Sequence, residues 1–199
     1  MKTFSGRKPS QREDELSAFI DLLNDRGTRS YLEIGARHGD TFHAVMSTLP
    51  KGSLGVAVDL PGAAWGTETS ERSLRLAACD LRDRGYQIVT VIANSQVMAT
   101  RDHVRHAAAH RGCKRFDAAL IDGDHRYEGV MTDWLIWGSE AAIIAFHDIA
   151  GEGVTSKADG FPVEVPRAWS EIKGHYPHRE LIGTGSSMGI GVLWRAPAS

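Results

Sequence analysis

Tyr31-Leu32-Glu33-Ile34-Gly35-Ala36-Arg37-His38-Gly39-Asp40 is an apolar run with one carboxylate that ends in a glycine-bounded turn. A helical pattern starts directly behind it, so the stretch reads as a buried first strand, a ligand-cradling loop and a helix N-terminus. Gly35 and Gly39 can take positive φ or let a ligand approach the backbone closely, which a residue with a Cβ does poorly. Asp40 or Thr41 is placed to cap the helix. The spacing Gly35-x-x-x-Gly39 departs from the Gly-x-Gly-x-x-Gly that seats a pyrophosphate on a helix N-terminus, so the loop points away from a dinucleotide.

On either side of this stretch the apolar period switches between helix and strand. Upstream, Ser10 with Glu13 three residues later has capping-box spacing, and Leu16, Phe19, Ile20 and Leu23 form a helical stripe that Gly27 stops. Met1 to Pro9 are basic and polar and read as a mobile arm. Downstream, Phe42, Val45, Met46 and Leu49 make a second helix, and Leu54 to Val58 a second buried strand closed by Asp59. A loop over Pro61 to Thr69 carries Trp65. A helix from Glu68 to Gly85, a strand over Gln87 to Ile92 and a helix over Val97 to His110 follow. Phe116 to Ile121 is a fourth strand ending in Asp122-Gly123-Asp124-His125, and Arg126 to Gly138 a helix. Ala141 to Phe146 is a fifth strand ending in His147-Asp148. Gly151 to Phe161 has no periodicity and reads as a flexible lid. A short helix over Val165 to Gly174 leads to a hairpin of Arg179 to Ile182 and Gly189 to Arg195.

Five alternations of strand and helix imply a doubly wound α/β fold, a mostly parallel sheet with helices on both faces. The closing hairpin adds an antiparallel C-terminal strand. With 199 residues and no linker or repeat, residues 1–199 form a single domain. A net charge of −2 argues against nucleic-acid binding through phosphate neutralisation. No apolar run approaches a membrane span and the N-terminus lacks the apolar core of a signal peptide, so a cytoplasmic location is expected. Cys79 and Cys113 lack metal or redox spacing and are read as reduced. His103, His106 and His110 share a helix face, which the nearby arginines make a solvated one. Oligomeric state stays open, a homo-oligomer included.

In such a sheet, the loops at the carboxyl ends of the strands share one edge, and ligands bind where the strand order reverses. The polar residues fall on that edge one after another: Glu33 and the Gly35 to Asp40 loop, Asp59, Asn94-Ser95, Asp122 to His125, and His147-Asp148. Asp59 stands where a carboxylate accepts hydrogen bonds from vicinal ribose hydroxyls, unless it only forms the turn before Pro61. Asn94 and Ser95 either bond an adenine edge or cap the next helix. Gly35, Gly39 and Asp59 together describe an adenosine site without a phosphate cradle.

On Tyr31 to Asp40, Val56-Ala57-Val58-Asp59 and Phe116 to His125, in this order and spacing, the chain resembles the class I S-adenosylmethionine-dependent methyltransferases from about Ser30 to Arg195. The resemblance implies a Rossmann-like seven-stranded sheet whose last strand is antiparallel. It also implies S-adenosyl-L-methionine as cofactor, held by Glu33, Gly35, Ala36, Gly39, Asp40, Asp59, Leu60, Asn94, Ser95 and Asp122. Asp122-Gly-Asp-His-Arg-Tyr-Glu and Phe146-His-Asp-Ile149 are similar to a branch of small O-methyltransferases. It includes macrolide-sugar and catechol-type enzymes and a cephalosporin-hydroxylase-like group. That branch places a divalent, magnesium-type ion beside the methyl donor, and carrying its ligands over implies a metal (Mg or Mn) on Asp122, His147 and Asp148. His147 stands where the branch often has a carboxylate. Either it binds a softer metal or it leaves the shell, because magnesium prefers oxygen and imidazole suits softer ions.

His125, three residues after Asp122, matches the position of the branch's base, and His125 and Asp122 are the expected catalytic pair. An imidazole titrates in the useful range for deprotonating an alcohol. The alternative is that Asp124-His125 only starts the next helix, with Asp124 as cap or extra ligand. Tyr127, Trp65, Phe161 and Trp169 are candidates to line a pocket for a small hydroxylated acceptor, Trp169 being equally a core residue. Competing readings are a non-catalytic donor-binding protein, an oxidoreductase linked to nicotinamide, and a metal-dependent hydrolase on the same sheet edge.

Overall fold

A computed structural model describes residues 7–60, 68–151, 153–155 and 160–195, without the side chains of 68 and 69. The elements in chain order are α1 (Glu13–Asp25), β1 (Ser30–Ile34), α2 (Asp40–Thr48), β2 (Leu54–Asp59), α3 (Glu68–Asp83), β3 (Gln87–Ile92) and α4 (Met98–Ala109). They continue with β4 (Phe116–Ile121), α5 (Tyr127–Trp137), β5 (Ala141–His147), α6 (Val165–Lys173), β6 (His178–Leu181) and β7 (Ile190–Trp194). The expected alternation of strand and helix holds throughout.

One seven-stranded sheet has the order β3-β2-β1-β4-β5-β7-β6. β1 to β5 pair in parallel, and β7 lies antiparallel to both β5 and β6. The fold is thus the doubly wound, Rossmann-like sheet with an antiparallel last strand. β1 is buried at every residue because helices cover both faces. Tyr31 packs with side chains of α1, α2 and α3 on one face, while Leu32 and Ile34 pack on the other with those of α4, α5 and α6. Each fully buried Leu or Phe in these layers contributes about 1.5–3 kcal/mol relative to exposure. The return of β7 depends on Gly191, where a Cβ would stand 2.7 Å from the Trp169 ring.

Two helix starts differ from expectation. α1 begins at Glu13 with Arg12 at its cap position and no side-chain cap, so Ser10 and Glu13 do not form a capping box. Glu13, Asp14 and Glu15 instead place negative charge at the positive end of the helix. α2 is capped by neither Asp40 nor Thr41: Gly39 holds the cap position at φ 76°, and both side chains are used elsewhere.

The arm read over 1–9 lies outside the described residues up to residue 6, but Arg7 is anchored to the body of the protein. Of the segment 151–161, residues 152 and 156–159 lie outside. The described part is tied by a Thr155–Pro162 bridge and by Val163 N–H donating to Val154 over 2.9 Å. The segment 61–67, with Trp65, also lies outside. Among the described residues, no helix is long and apolar enough to cross a membrane.

Candidate active site

Strand order reverses between β1 and β4, whose carboxyl ends diverge to opposite sides and open a crevice. A cavity of about 510 Å³ lies there, within the range of ligand sites. Nine of the ten residues expected to hold the donor line it, all but Gly39, together with His125, His147 and Asp148.

Gly35 lets the first loop close on β4. It takes φ 84°, and a Cβ there would lie 2.1 Å from the Asp122 carbonyl oxygen. The Asp122 N–H in turn donates to the Ile34 carbonyl over 2.9 Å, so the backbone fixes the carboxylate next to the glycine loop. Arg37 takes φ 47°, an uncommon value for a side-chain-bearing residue. That turn aims its N–H at Asp59 Oδ1, 3.0 Å away. Burial pushes Asp59 above the usual carboxylate range, partly offset by this hydrogen bond.

Glu33 is buried and accepts a hydrogen bond from the Tyr31 hydroxyl at 2.7 Å. Burial pushes its carboxyl up to about 8, with the charges of Asp122 and Asp59 acting the same way. Asn94 and Ser95 line the cavity while serving the chain itself. Asn94 accepts the Gln96 N–H at 2.9 Å, and the Ser95 hydroxyl donates to Asp133 at 2.8 Å. Asp133 is fully buried, and burial raises it to about 7.

Across the cavity two carboxylates and two imidazoles crowd together. Asp148 adopts φ 61°, a strained value that turns its carboxylate inward directly after β5. His125 Nε2 lies 3.3 Å from Asp122 Oδ1, and its Nδ1 3.8 Å from Asp148 Oδ2. His147 Nδ1 lies 3.2 Å from Asp122 Oδ1 and 3.3 Å from Asp148 Oδ1. Burial opposes ionisation of Asp122, but His147 and His125 outweigh it and hold the carboxyl well below its ordinary range. Burial likewise disfavours the His147 cation, yet Asp122 and then Asp148 raise it to about 9. His125 is raised for the same reason, whereas burial raises Asp148.

The ligand atoms that converge to within 4.8 Å of one another, as a metal ion needs, belong to Asp122, His125 and Asp148. His147, expected as a ligand, also lines the cavity and holds its Nδ1 against both carboxylates. Its buried Nε2 has no hydrogen-bond partner among the described residues. The set of two carboxylates and one imidazole fits a borderline divalent ion such as manganese better than magnesium, which prefers an all-oxygen shell.

Several expected roles change. Trp169 is core: it is buried, its ring meets Phe146 at 5.9 Å, and its N–H donates to Glu180. Tyr127 lies off the cavity and donates its hydroxyl to Glu171 at 2.7 Å. Asp124 accepts the Arg126 N–H and side chain and stands outside the converging cluster. Phe161 does reach the cavity rim. Sequence reasoning missed Gln11 and Met188, which line the cavity from the segment before α1 and from the β6–β7 loop. Neither lies beside a motif, and no sequence signal marks them.

A glycine loop, a carboxylate closing β2 and an acid–histidine cluster at the ends of β4 and β5 thus meet in one cavity at the switch point of this sheet. The chain belongs to the methyltransferase-domain family whose model matches residues 32–149. Comparison with curated protein sequences gives no match.

Among solved structures, a Staphylococcus aureus protein described as a caffeoyl-CoA O-methyltransferase superposes with a TM-score of 0.67 at 12% identity, covering 94% of this chain and 86% of that one. The O-methyltransferase TomG of Streptomyces achromogenes, in complex with S-adenosylmethionine, gives 0.65 at 14% identity, covering 94% and 82%. A Bacillus cereus O-methyltransferase, in complex with S-adenosylhomocysteine, gives 0.59 at 17%, covering 94% and 84%. At these identities the likeness establishes the fold.

Proposed function

We propose that the protein is an S-adenosylmethionine-dependent O-methyltransferase that methylates a hydroxyl of a sugar or other small metabolite. The observation that carries this reading is the convergence of Asp122, His125 and Asp148 in the cavity that the glycine loop and Asp59 also line.

Asp59 keeps Oδ2 for the vicinal hydroxyls of a ribose while Arg37 N–H holds Oδ1. The Gly35 to Gly39 turn leaves room beside the backbone for the amino-acid part of the donor. S-Adenosylmethionine supplies the methyl group, carried on a sulfonium. Displacement requires acceptor oxygen, methyl carbon and sulfur in line, so the cavity must take the acceptor on the sulfonium side of the donor. The oxygen–carbon bond forms as the carbon–sulfur bond breaks, and the hydroxyl proton passes to a His125 ring nitrogen. Asp122 and Asp148 stabilise the imidazolium that results.

A divalent ion would be held by Asp122 and Asp148 and would lower the pKa of the acceptor hydroxyl. The position of His125 in the converging set supports a second arrangement, in which it completes the ligand set. A chelator stops either metal arrangement, whereas a His125 base acting without metal survives it.

The test is calorimetry with S-adenosylmethionine and S-adenosylhomocysteine. The wild type binds both, and Asp59→Ala weakens binding about tenfold or more, as expected for charge-assisted hydrogen bonds. No binding of either ligand overturns the reading.

A further inference from the structure

Arg7, near the end of the segment read as an arm, and Ser10 and Gln11 before α1 reach across the site. Arg7 Nη1 donates to Asp40 Oδ1 at 3.0 Å and to the His38 carbonyl at 3.4 Å, and Arg7 Nη2 reaches the Ser73 carbonyl at 3.4 Å. These contacts join the glycine loop to α3. Ser10 and Gln11 then run along the cavity wall. The Gln11 amide nitrogen donates to Asp122 Oδ2 over 2.8 Å, and its oxygen accepts from the Thr41 hydroxyl. This orientation of the amide is forced, because an ionised carboxylate can only accept. Gln11 is 9% exposed and is thus held in the wall rather than on the surface.

The two oxygens of Asp122 have separate duties. Oδ1 faces the imidazoles of His125 and His147, and Oδ2 is held by Gln11. The carboxylate plane is therefore set from the N-terminal segment. Four residues further on, the buried carboxylate of Glu15 accepts the N–H groups of Gly183 at 2.8 Å and Gly189 at 3.1 Å. That anchors the loop that brings Met188 to the cavity.

We propose that Gln11 is a positioning residue that ties the first turn of α2, directly behind the glycine loop, to Asp122, with Arg7 to Gln11 forming a strap over the donor side of the cavity. The proposal rests on the methyl-donor reading above. A donor seated against Asp40 and Thr41 lies beneath the strap and is released only when the strap lets go. The same movement frees Asp122 Oδ2, so donor occupancy and the orientation of the catalytic carboxylate are linked.

The test compares the full chain with Gln11→Ala, Gln11→Glu and Arg7→Ala. It uses calorimetry and stopped-flow release with S-adenosylhomocysteine, thermal melting, and the ring resonances of His125 and His147 at fixed pH. Gln11→Ala is expected to release S-adenosylhomocysteine about tenfold faster, the factor that 1.4 kcal/mol is worth, with its melting temperature kept. Gln11→Glu keeps an acceptor for Thr41 but sets a second carboxylate against Asp122, and releases faster still. Both Gln11 variants shift the histidine resonances, because Oδ2 loses its donor. Arg7→Ala speeds release without that shift.

Failure of the wild type to bind S-adenosylhomocysteine overturns the donor reading itself. Wild-type binding with unchanged release in both Gln11 variants overturns the strap alone, and so does a lowered melting temperature with unchanged release. Unmoved histidine resonances overturn the positioning of Asp122.

Discussion

Asp117 and Asp122 stand at opposite ends of the same strand, and their surroundings differ in kind. Asp117 Oδ2 accepts the N–H groups of Arg29 at 2.8 Å and Ser30 at 2.9 Å, and the Ser30 hydroxyl at 2.9 Å. Ser30 Oγ in turn accepts the Asp117 N–H. The cluster closes on itself and stitches β4 to the start of β1. Asp122 faces two imidazoles and a second carboxylate, next to a strained Asp148 and a buried His147 nitrogen that has no hydrogen-bond partner among the described residues. One end spends its polar groups on stability. The other keeps them crowded and turned toward a cavity, the kind of local conflict that stability alone does not explain.

The largest effect should come from breaking the crowded end. Asp122→Asn is expected to lower methyl transfer about 10³-fold, within the usual range for loss of general acid–base assistance. The same change removes the main charge that holds His147 at about 9. Its imidazole should therefore titrate nearer the ordinary histidine range, which NMR reads directly. Retained turnover in Asp122→Asn would erase the distinction between the two ends.

Glu33 sharpens the comparison through pH. Its folded pKa of about 8 lies above the ordinary 4.5, so the folded state binds the extra proton between these values. The stabilisation from this group is present in full below about 4.5 and is lost as pH rises through about 8. At about 1.4 kcal/mol per pKa unit the loss amounts to a few kcal/mol. Glu33→Gln should flatten this part of the stability profile in urea unfolding between pH 5 and pH 9. An unchanged slope would show that Glu33 titrates alike in both states.

The smallest effect belongs to the closed end. Asp117→Ala should cost about 2 kcal/mol, the scale for losing hydrogen bonds to a charged group. Donor affinity should stay unchanged, as calorimetry on the folded variant checks. Weakened donor binding would mean that the two ends of β4 communicate.

Much of this was legible in the chain order. The alternation of apolar strands and amphipathic helices, the Gly35 and Gly39 turn and the polar residues that close β1 to β5 placed the site on the carboxyl edge, where the cavity lies. Side-chain contacts were not legible. Trp169 and Tyr127 looked like pocket residues because they follow the right strands, yet burial against Phe146 and a hydroxyl bond to Glu171 claim them. Ser10 and Glu13 had capping-box spacing, but the helix starts only behind an extended Arg12, and Gln11 is used across the site instead.

Local sequence thus determined the elements, their order and the edge that carries the chemistry, because period, glycine turns and strand-closing residues act over a few positions. Tertiary structure alone decided that His125 and His147 both close on Asp122 and Asp148, and that Gln11 meets Asp122 across 111 positions of chain. Such contacts depend on strand order and on ångström-scale side-chain packing, and no spacing in the sequence encodes either.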